Sequence, residues 1–378
     1  MNHYEFAMAP IVHAGPGSRA QLHQTLELRG IKHPLLITDE NLAKTSVLTQ
    51  VVEAVGDVKV FDKVKPDPSV NDVMKAVDAI RESGADGLIA LGGGSSIDVA
   101  KLAGLLSTNA LDLLKLADDW TLADKPGLPL LVIPTTVGSG SEMTRGAVFV
   151  DTAQAVKRVV VSDYMAARDV LLDPTLLSQL PRPVIASTGA DALTQAIEGV
   201  ISTAASAFTD ALHLQALRMI GWALPRAYAN PADAEAMGAM QEAAAMVGAG
   251  LARSGVGAAH AIANVLGGHY HIPHGVACGI MLRPVVRFNS TAVPSQCRAM
   301  ADAMGLSAAD GGAVIEAVQG EIERLLTAVQ LTSRLRDFGV PREDLPKVAQ
   351  EAATHSDMGT NPREATAGDV EALLLESW

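Results

Sequence analysis

Beta-branched apolar runs crowd the first half of the chain and are gone from the second. Up to about residue 180, "PLLIT" (34–38), "VKVF" (58–61), "GLIAL" (87–91), "LPLLVIP" (128–134) and "VFV" (148–150) alternate with segments of helical period. Short strands separated by helices form a sheet whose crossovers cover both faces, which predicts a doubly wound, mostly parallel α/β domain over residues 1–180. After the proline-punctuated "DPTLLSQLPRP" (173–183), Ala, Met, Leu and Gln take over, as in "AEAMGAMQEAAAMVGAGLA" (234–252). These are good helix formers, so an all-α domain is expected over 181–378.

A chain of 378 residues, 48% hydrophobic and 19% charged, has enough apolar material for two cores. Its net charge of -13, with no Lys/Arg-rich run, argues against nucleic acid or an anionic membrane as partner. No basic and apolar leader is visible, and no uncharged apolar stretch reaches about 18 residues, so a soluble cytoplasmic protein is expected. The two cysteines, Cys278 and Cys297, have no metal-like pairing. Neither a disulfide framework nor a thiolate zinc site is therefore expected, which leaves oxygen and imidazole as metal ligands.

"GLIALGGGSSIDVAK" (87–101) passes from a strand through three glycines into a helix. Such a turn lets the backbone approach a pyrophosphate, held by free amides and the positive helix dipole near Ser95. The same residues also suit a plain turn, with Ser95 as N-cap and Asp98 in capping-box position. "VIPTTVGSGSE" (132–142) adds a second strand end carrying paired threonines and a glycine-serine loop. Neighbouring strand ends of this kind are where open sheets bind nucleotides, so the domain reads as Rossmann-like. Asp39, closing the strand "PLLIT", suits either the adenosine ribose of NAD, repelling the 2′-phosphate of NADP, or the cap of a following helix.

In the second half, "GADALTQAIEG" (189–199) sets Asp191 and Gln195 four apart on a helix, and four of the ten histidines fall within residues 259–275. Of these, His260 lies in a helical stretch and His274 between Pro273 and Gly275 on a returning turn. With Asp191 they could surround one divalent cation. Each also has an ordinary reading: a packed helix histidine, a solvent-facing His269 or His271, an aspartate capping its own helix.

Taken together and in order, "TDENL" (38–42), "GGGSSIDVAK" (92–101), "IPTTVGSGSE" (133–142), "KRVVVSD" (157–163), "DPTLL" (173–177), "GADALTQAIEG", "HAIANVLGGHYHIPHGVA" (260–277) and "NPREAT" (361–366) resemble the iron-containing (group III) alcohol dehydrogenases of the dehydroquinate synthase-like superfamily. The resemblance implies an NAD-dependent alcohol dehydrogenase acting on a small alcohol or aldehyde, with Fe²⁺ or Zn²⁺ as Lewis acid in an interdomain cleft, and a homodimer formed through the N-terminal edge strand. It places Asp39 at the adenosine ribose and Gly92, Gly93, Gly94 and Ser95 at the pyrophosphate. Asp98, Thr135, Thr136, Ser139 and Lys157 fall at further cofactor-facing positions.

The same resemblance makes Asp191, His260 and His274 three of four metal ligands, the fourth being Gln195 where the family normally has histidine. Asn264 stands where most members carry another histidine near the nicotinamide and substrate. Gln195 offers only a weak carbonyl donor, and Asn264 cannot exchange a proton near neutral pH. The proton relay then falls to His271, or to water and the cofactor ribose, beside His274 as a catalytic-centre residue. Two related readings stay open: a metal-independent reductase similar to maleylacetate reductase, and a dehydroquinate synthase-like lyase. A binding module without turnover is the third.

Overall fold

The computed structural model describes residue 6 and residues 10–154, 156–307 and 311–378. They fall into two compact units: Ala7–Thr136 with Gly140–Ser178, and Gln179–Trp378 with Val137–Ser139.

In the first unit the strands are β1 (Ile11–Ala14), β2 (Pro34–Asp39), β3 (Lys59–Val64), β4 (Gly87–Gly92), β5 (Leu130–Pro134), β6 (Gly146–Asp151), β7 (Val156–Val161) and β8 (Asp169–Leu172). The helices are α1 (Leu22–Leu28), α2 (Ser46–Val55), α3 (Val70–Ser83), α4 (Gly94–Thr108) and α5 (Leu113–Asp118). Six strands form one sheet in the order β1-β8-β5-β4-β2-β3, and all the pairings are parallel. β4 and β5 are buried along their whole length, which is why they read as unbroken apolar runs.

One expectation needs correcting. "VFV" does not join the parallel sheet: β6 pairs antiparallel with β7 in a separate ribbon, Gly146 opposite Val161 and Asp151 opposite Val156. The sheet instead gains β1 and β8, runs of four residues each, too short to show a period.

Strand order decides where a ligand can sit. From β2 the chain steps outward to β3, then crosses back to β4 and continues the other way to β5 and β8. The reversal lies between β2 and β4, which are in register with Leu35 opposite Leu88 and Ile37 opposite Ala90. Crossovers leaving in opposite directions open a crevice at the carboxyl ends of those two strands, Asp39 and Gly92.

The second unit carries α6 (Arg182–Ile201), α7 (Ala207–Ala229), α8 (Ala234–Ser254), α9 (Ala258–Tyr270), α10 (His274–Asn289), α11 (Pro294–Ala303), α12 (Gly312–Ala328), α13 (Leu345–Ala353) and α14 (Ala367–Ser377), with no strand among its described residues. Ile262, Leu266, Met281, Val285, Val348 and Leu374 belong to one buried core drawn from α9, α10, α13 and α14. No helix among the described residues is long and apolar enough to cross a membrane.

Candidate functional site

Positions i, i+4 and i+7 share one face of a helix, and on α6 they are Asp191, Gln195 and Glu198, all buried. The helix that meets this face must come close. A Cβ on Gly275 would lie 1.9 Å from the Ser187 carbonyl oxygen, and one on Gly279 would lie 3.3 Å from the Ala190 Cβ. Glycine at both positions lets α10 press its first turns on α6. The preceding residues, His274 and Cys278, are thereby carried to Asp191.

α9 supplies the last member. His260 Nε2 is 3.4 Å from Asp191 Oδ1, His274 Nε2 is 3.7 Å from the same oxygen, and Cys278 Sγ is 3.7 Å from His274 Nε2. One ligand atom from each of Asp191, His260, His274 and Cys278 falls within 4.8 Å of all the others.

Glu198 fixes the ring of His260. Its Oε2 lies 2.5 Å from His260 Nδ1 and accepts that proton, while Oε1 accepts from the Ala259 amide at 2.6 Å. With Nδ1 committed, Nε2 is the nitrogen left to face Asp191, the arrangement by which carboxylates orient metal-binding imidazoles. The start of α9 is pinned as well: Asn361, from "NPREAT", accepts from the Ala258 amide at 3.3 Å and from Asn289 Nδ2 at 2.9 Å.

His260 Nε2, His274 Nδ1 and Gln195 Oε1 are buried without a hydrogen-bond partner, and Gln195 Nε2 reaches Asp191 Oδ1 at 3.3 Å. An unpaired buried polar atom costs about 1–3 kcal/mol, so such a concentration is stable only if something else satisfies it. A carboxylate, two imidazoles, an amide carbonyl and a thiol form a donor set that fits a divalent transition cation. Burial disfavours charge on all three titratable neighbours, but their proximity outweighs it. His260 and His274 hold the Cys278 thiol below its ordinary value, and Cys278 helps to hold both imidazoles above theirs.

The remaining residues singled out on α9 lie apart in role. Asn264 Nδ2 donates to Asp357 Oδ2 at 3.0 Å, and His269 Nε2 meets Glu351 Oε2 at 2.6 Å. His271 is exposed and caps α9 in the left-handed region at φ 54°, which turns the chain toward His274.

In the α/β unit, α4 starts at Gly94 with Gly93 as its N-cap and no side-chain cap, so the capping box between Ser95 and Asp98 is not formed. The amides of the first turn are left to an external acceptor. Gly92 has φ 150°, and a Cβ there would lie 2.5 Å from Ser96 Oγ; one on Gly93 would lie 2.9 Å from Thr136 Cγ2. The Thr135 amide donates to the Gly92 carbonyl at 3.0 Å, so the two loops are bound edge to edge. Asp39 Oδ1 accepts from the amides of Asn41 (2.9 Å) and Leu42 (3.0 Å), while Oδ2 stands 3.8 Å from the Cβ position of Gly92. One carboxylate thus caps the turn and faces the glycine loop.

Asp98 is engaged by the protein. It accepts from Ser141 Oγ at 2.6 Å and from the Val148 amide at 3.0 Å. Beside it, buried Lys101 donates through Nζ to Ser141 O (2.6 Å), Ser141 Oγ (3.2 Å), Thr144 Oγ1 (3.0 Å) and Gly146 O (2.8 Å). Burial pulls Lys101 down to about 8 and pushes Glu142 up to about 7. Lys157 Nζ pairs with Asp67 Oδ1 at 2.8 Å. Ser139 belongs with Val137–Ser139 to the helical unit, where a Cβ on Gly138 would lie 2.3 Å from the Thr188 carbonyl.

Sequence reasoning passed over two members of the cluster. Glu198 is seven residues after Asp191 on the same helical face, a spacing visible in "DALTQAIE". Cys278 has no metal-like pairing with Cys297, and its neighbours in the cluster are instead histidines, one of them four residues earlier on α10.

Comparison with known proteins agrees with this architecture. Residues 9–174 match the iron-containing alcohol dehydrogenase family model, and residues 185–378 match the model for the C-terminal part of the Fe-containing alcohol dehydrogenase family. The chain is 35% identical over 374 residues to the lactaldehyde reductase of Escherichia coli (strain K12), covering 96% of this chain and 97% of that one. It is 32% identical to the NAD-dependent methanol dehydrogenase of Bacillus methanolicus, covering 98% of each. A crystal structure of 1,3-propanediol oxidoreductase superposes with a TM-score of 0.96 at 30% identity over 100% of both chains. By these matches and by its fold, the chain belongs to the iron-containing alcohol dehydrogenase family and is an alcohol dehydrogenase of that family.

Proposed function

We propose that this enzyme transfers hydride reversibly between NAD(H) and a small alcohol or aldehyde, using a divalent cation held by Asp191, His260 and His274 with Gln195 beside them. The observation that carries this reading is the meeting of those side chains within the helical unit, with His260 Nε2 and Gln195 Oε1 buried and unpaired. A relative's printed name supports the cofactor, since the Bacillus methanolicus protein is an NAD-dependent methanol dehydrogenase.

A cation bound there supplies Lewis acidity toward the substrate oxygen, and NAD supplies the hydride chemistry. The chain's own residues do the rest. Glu198 keeps the proton of His260 on Nδ1, so that Nε2 faces the cluster as a donor. Gly92, Gly93, Gly94 and Ser95 present the uncapped first turn of α4 to the pyrophosphate, flanked by Thr135 and Thr136. Asp39, half engaged in its own turn, keeps one oxygen by the glycine loop for the ribose hydroxyls and against a 2′-phosphate. Ser139 and Lys157 are assigned to the cofactor with them, whereas Asp98 acts through the loop it holds.

Asn264 orients by hydrogen bonding and moves no proton. Because His269 is tied to Glu351, His271 on the exposed turn is the imidazole available to exchange protons with solvent. The reading extends to a cytoplasmic homodimer, supported by the apolar edge strand β1, where Ile11 is 54% exposed.

The test is an activity screen of metal-replete protein over short alcohols, diols, hydroxy acids and their aldehydes with NAD and with NADP. Turnover that produces NADH and is lost on chelation is expected. Full turnover after chelation would overturn the role of the cation.

A further inference from the structure

The donor set is richer than an aspartate and two histidines. Cys278 is fully buried, four residues after His274 on the same face of α10, and its sulfur completes a group of four ligand atoms from three helices. We propose that Cys278 is itself a ligand of the cation, which makes the site a carboxylate, two imidazoles and a thiolate and selects zinc over ferrous iron. This rests on the reading of a cation site given above.

The spacing of these atoms approaches the edges of a tetrahedron. Zinc holds nitrogen and oxygen at about 2.0–2.2 Å and sulfur at about 2.3 Å, which sets neighbouring ligand atoms about 3.3–3.6 Å apart. The distances observed are 3.4 Å from His260 Nε2 to Asp191 Oδ1, 3.7 Å from His274 Nε2 to the same oxygen and 3.7 Å from Cys278 Sγ to His274 Nε2, with all four atoms within 4.8 Å of one another, so a short inward shift of the side chains brings them to a cation. A second observation points the same way: His260 Nε2, on a side chain only 6% exposed, has no hydrogen-bond partner. The amide of Gln195 is a weak donor, so the sulfur rather than the amide would be the fourth protein ligand, with the substrate oxygen entering as a fifth.

Chemistry then decides the metal. A thiolate is soft and favours zinc, and for a given nitrogen, oxygen and sulfur site zinc binds more tightly than ferrous iron. Carboxylate and thiolate together also neutralise a dication inside a buried pocket, which lone imidazoles cannot do. As the metal–sulfur bond forms, the thiol proton leaves to solvent.

Cobalt(II) reads sulfur ligation directly, because a thiolate-to-cobalt charge-transfer band appears only when sulfur is bound. Full-length protein stripped with chelator would be titrated anaerobically with cobalt(II), alongside Cys278→Ala and Cys297→Ala. The expected result is a near-ultraviolet band that saturates at one cobalt per chain, survives Cys297→Ala and vanishes in Cys278→Ala. Zinc should displace the cobalt, and ferrous iron should not. One bound cobalt without the band in the wild-type protein would overturn the ligand assignment while leaving the cation site standing. No cobalt bound would defeat the cation site and this inference with it. The wild-type spectrum decides the matter whether or not Cys278→Ala folds.

Discussion

Two buried polar clusters in this protein look alike in composition and differ in what they leave undone. Around Lys101 the three ammonium protons are shared among four acceptors, and Asp98 accepts two more hydrogen bonds. Around Asp191, His260 Nε2 and Gln195 Oε1 have no partner. A closed network spends its polarity on holding a fold, here the loop at Ser141 and the start of β6. An open one keeps donor atoms for something the chain does not itself supply.

If that contrast is right, substitutions in the two clusters should read out differently. The largest effect is expected for Lys101→Met, which strands the carbonyls of Ser141 and Gly146 and leaves Asp98 without its neighbouring charge. A loss of about 3–5 kcal/mol is expected in denaturant unfolding, with zinc affinity of the folded fraction unchanged. Lost zinc affinity without lost stability would break the comparison.

Glu198→Gln comes next. It keeps the side-chain volume but removes the charge that orients His260, so zinc affinity should fall about 10–100-fold in a competition titration. An unchanged affinity would reduce Glu198 to a packing role.

Asp39 stands between the two kinds of cluster, one oxygen engaged and the other beside Gly92. Asp39→Gly should raise kcat/KM for NADP relative to NAD by about tenfold, the equivalent of about 1.4 kcal/mol. A lowered stability with the ratio unchanged would make the residue a cap alone.

The smallest effect is one of pH. Buried Glu142 is pushed up to about 7 from 4.5, so the folded chain keeps a proton that the unfolded chain releases between those values. The stabilisation it gives is complete below about pH 4.5 and is lost as the pH rises toward 7. Thermal melts of Glu142→Gln should lose that slope, and an unaltered slope would place the titration elsewhere.

How far these clusters can be read in the sequence follows from how local their determinants are. The runs that became β2, β4 and β5, the glycine turn before α4 and the pairing of Asp191 with Gln195 all lie within one element, where period and spacing carry the information. His260 and His274 stood out by crowding. Glu198 and Cys278 had local spacing too, but a carboxylate on a buried face reads as a cap or a salt bridge, and two cysteines without metal-like spacing do not point to a thiolate site. The Lys101 network was not legible, because its acceptors lie in residues 141–146, 40 to 45 residues away, in the turn before β6 and at that strand's first residue. Asp98 shows the consequence: its spacing from Ser95 suggested a local capping box, and tertiary structure gave it Ser141 and Val148 instead.

The central claim is that Asp191, His260 and His274 hold one cation. Equilibrium zinc titration of chelator-stripped wild-type, His260→Ala and His274→Ala protein tests it most directly. One tightly bound zinc per chain in the wild type, absent from both variants, is predicted. The same stoichiometry and affinity in all three proteins would contradict it.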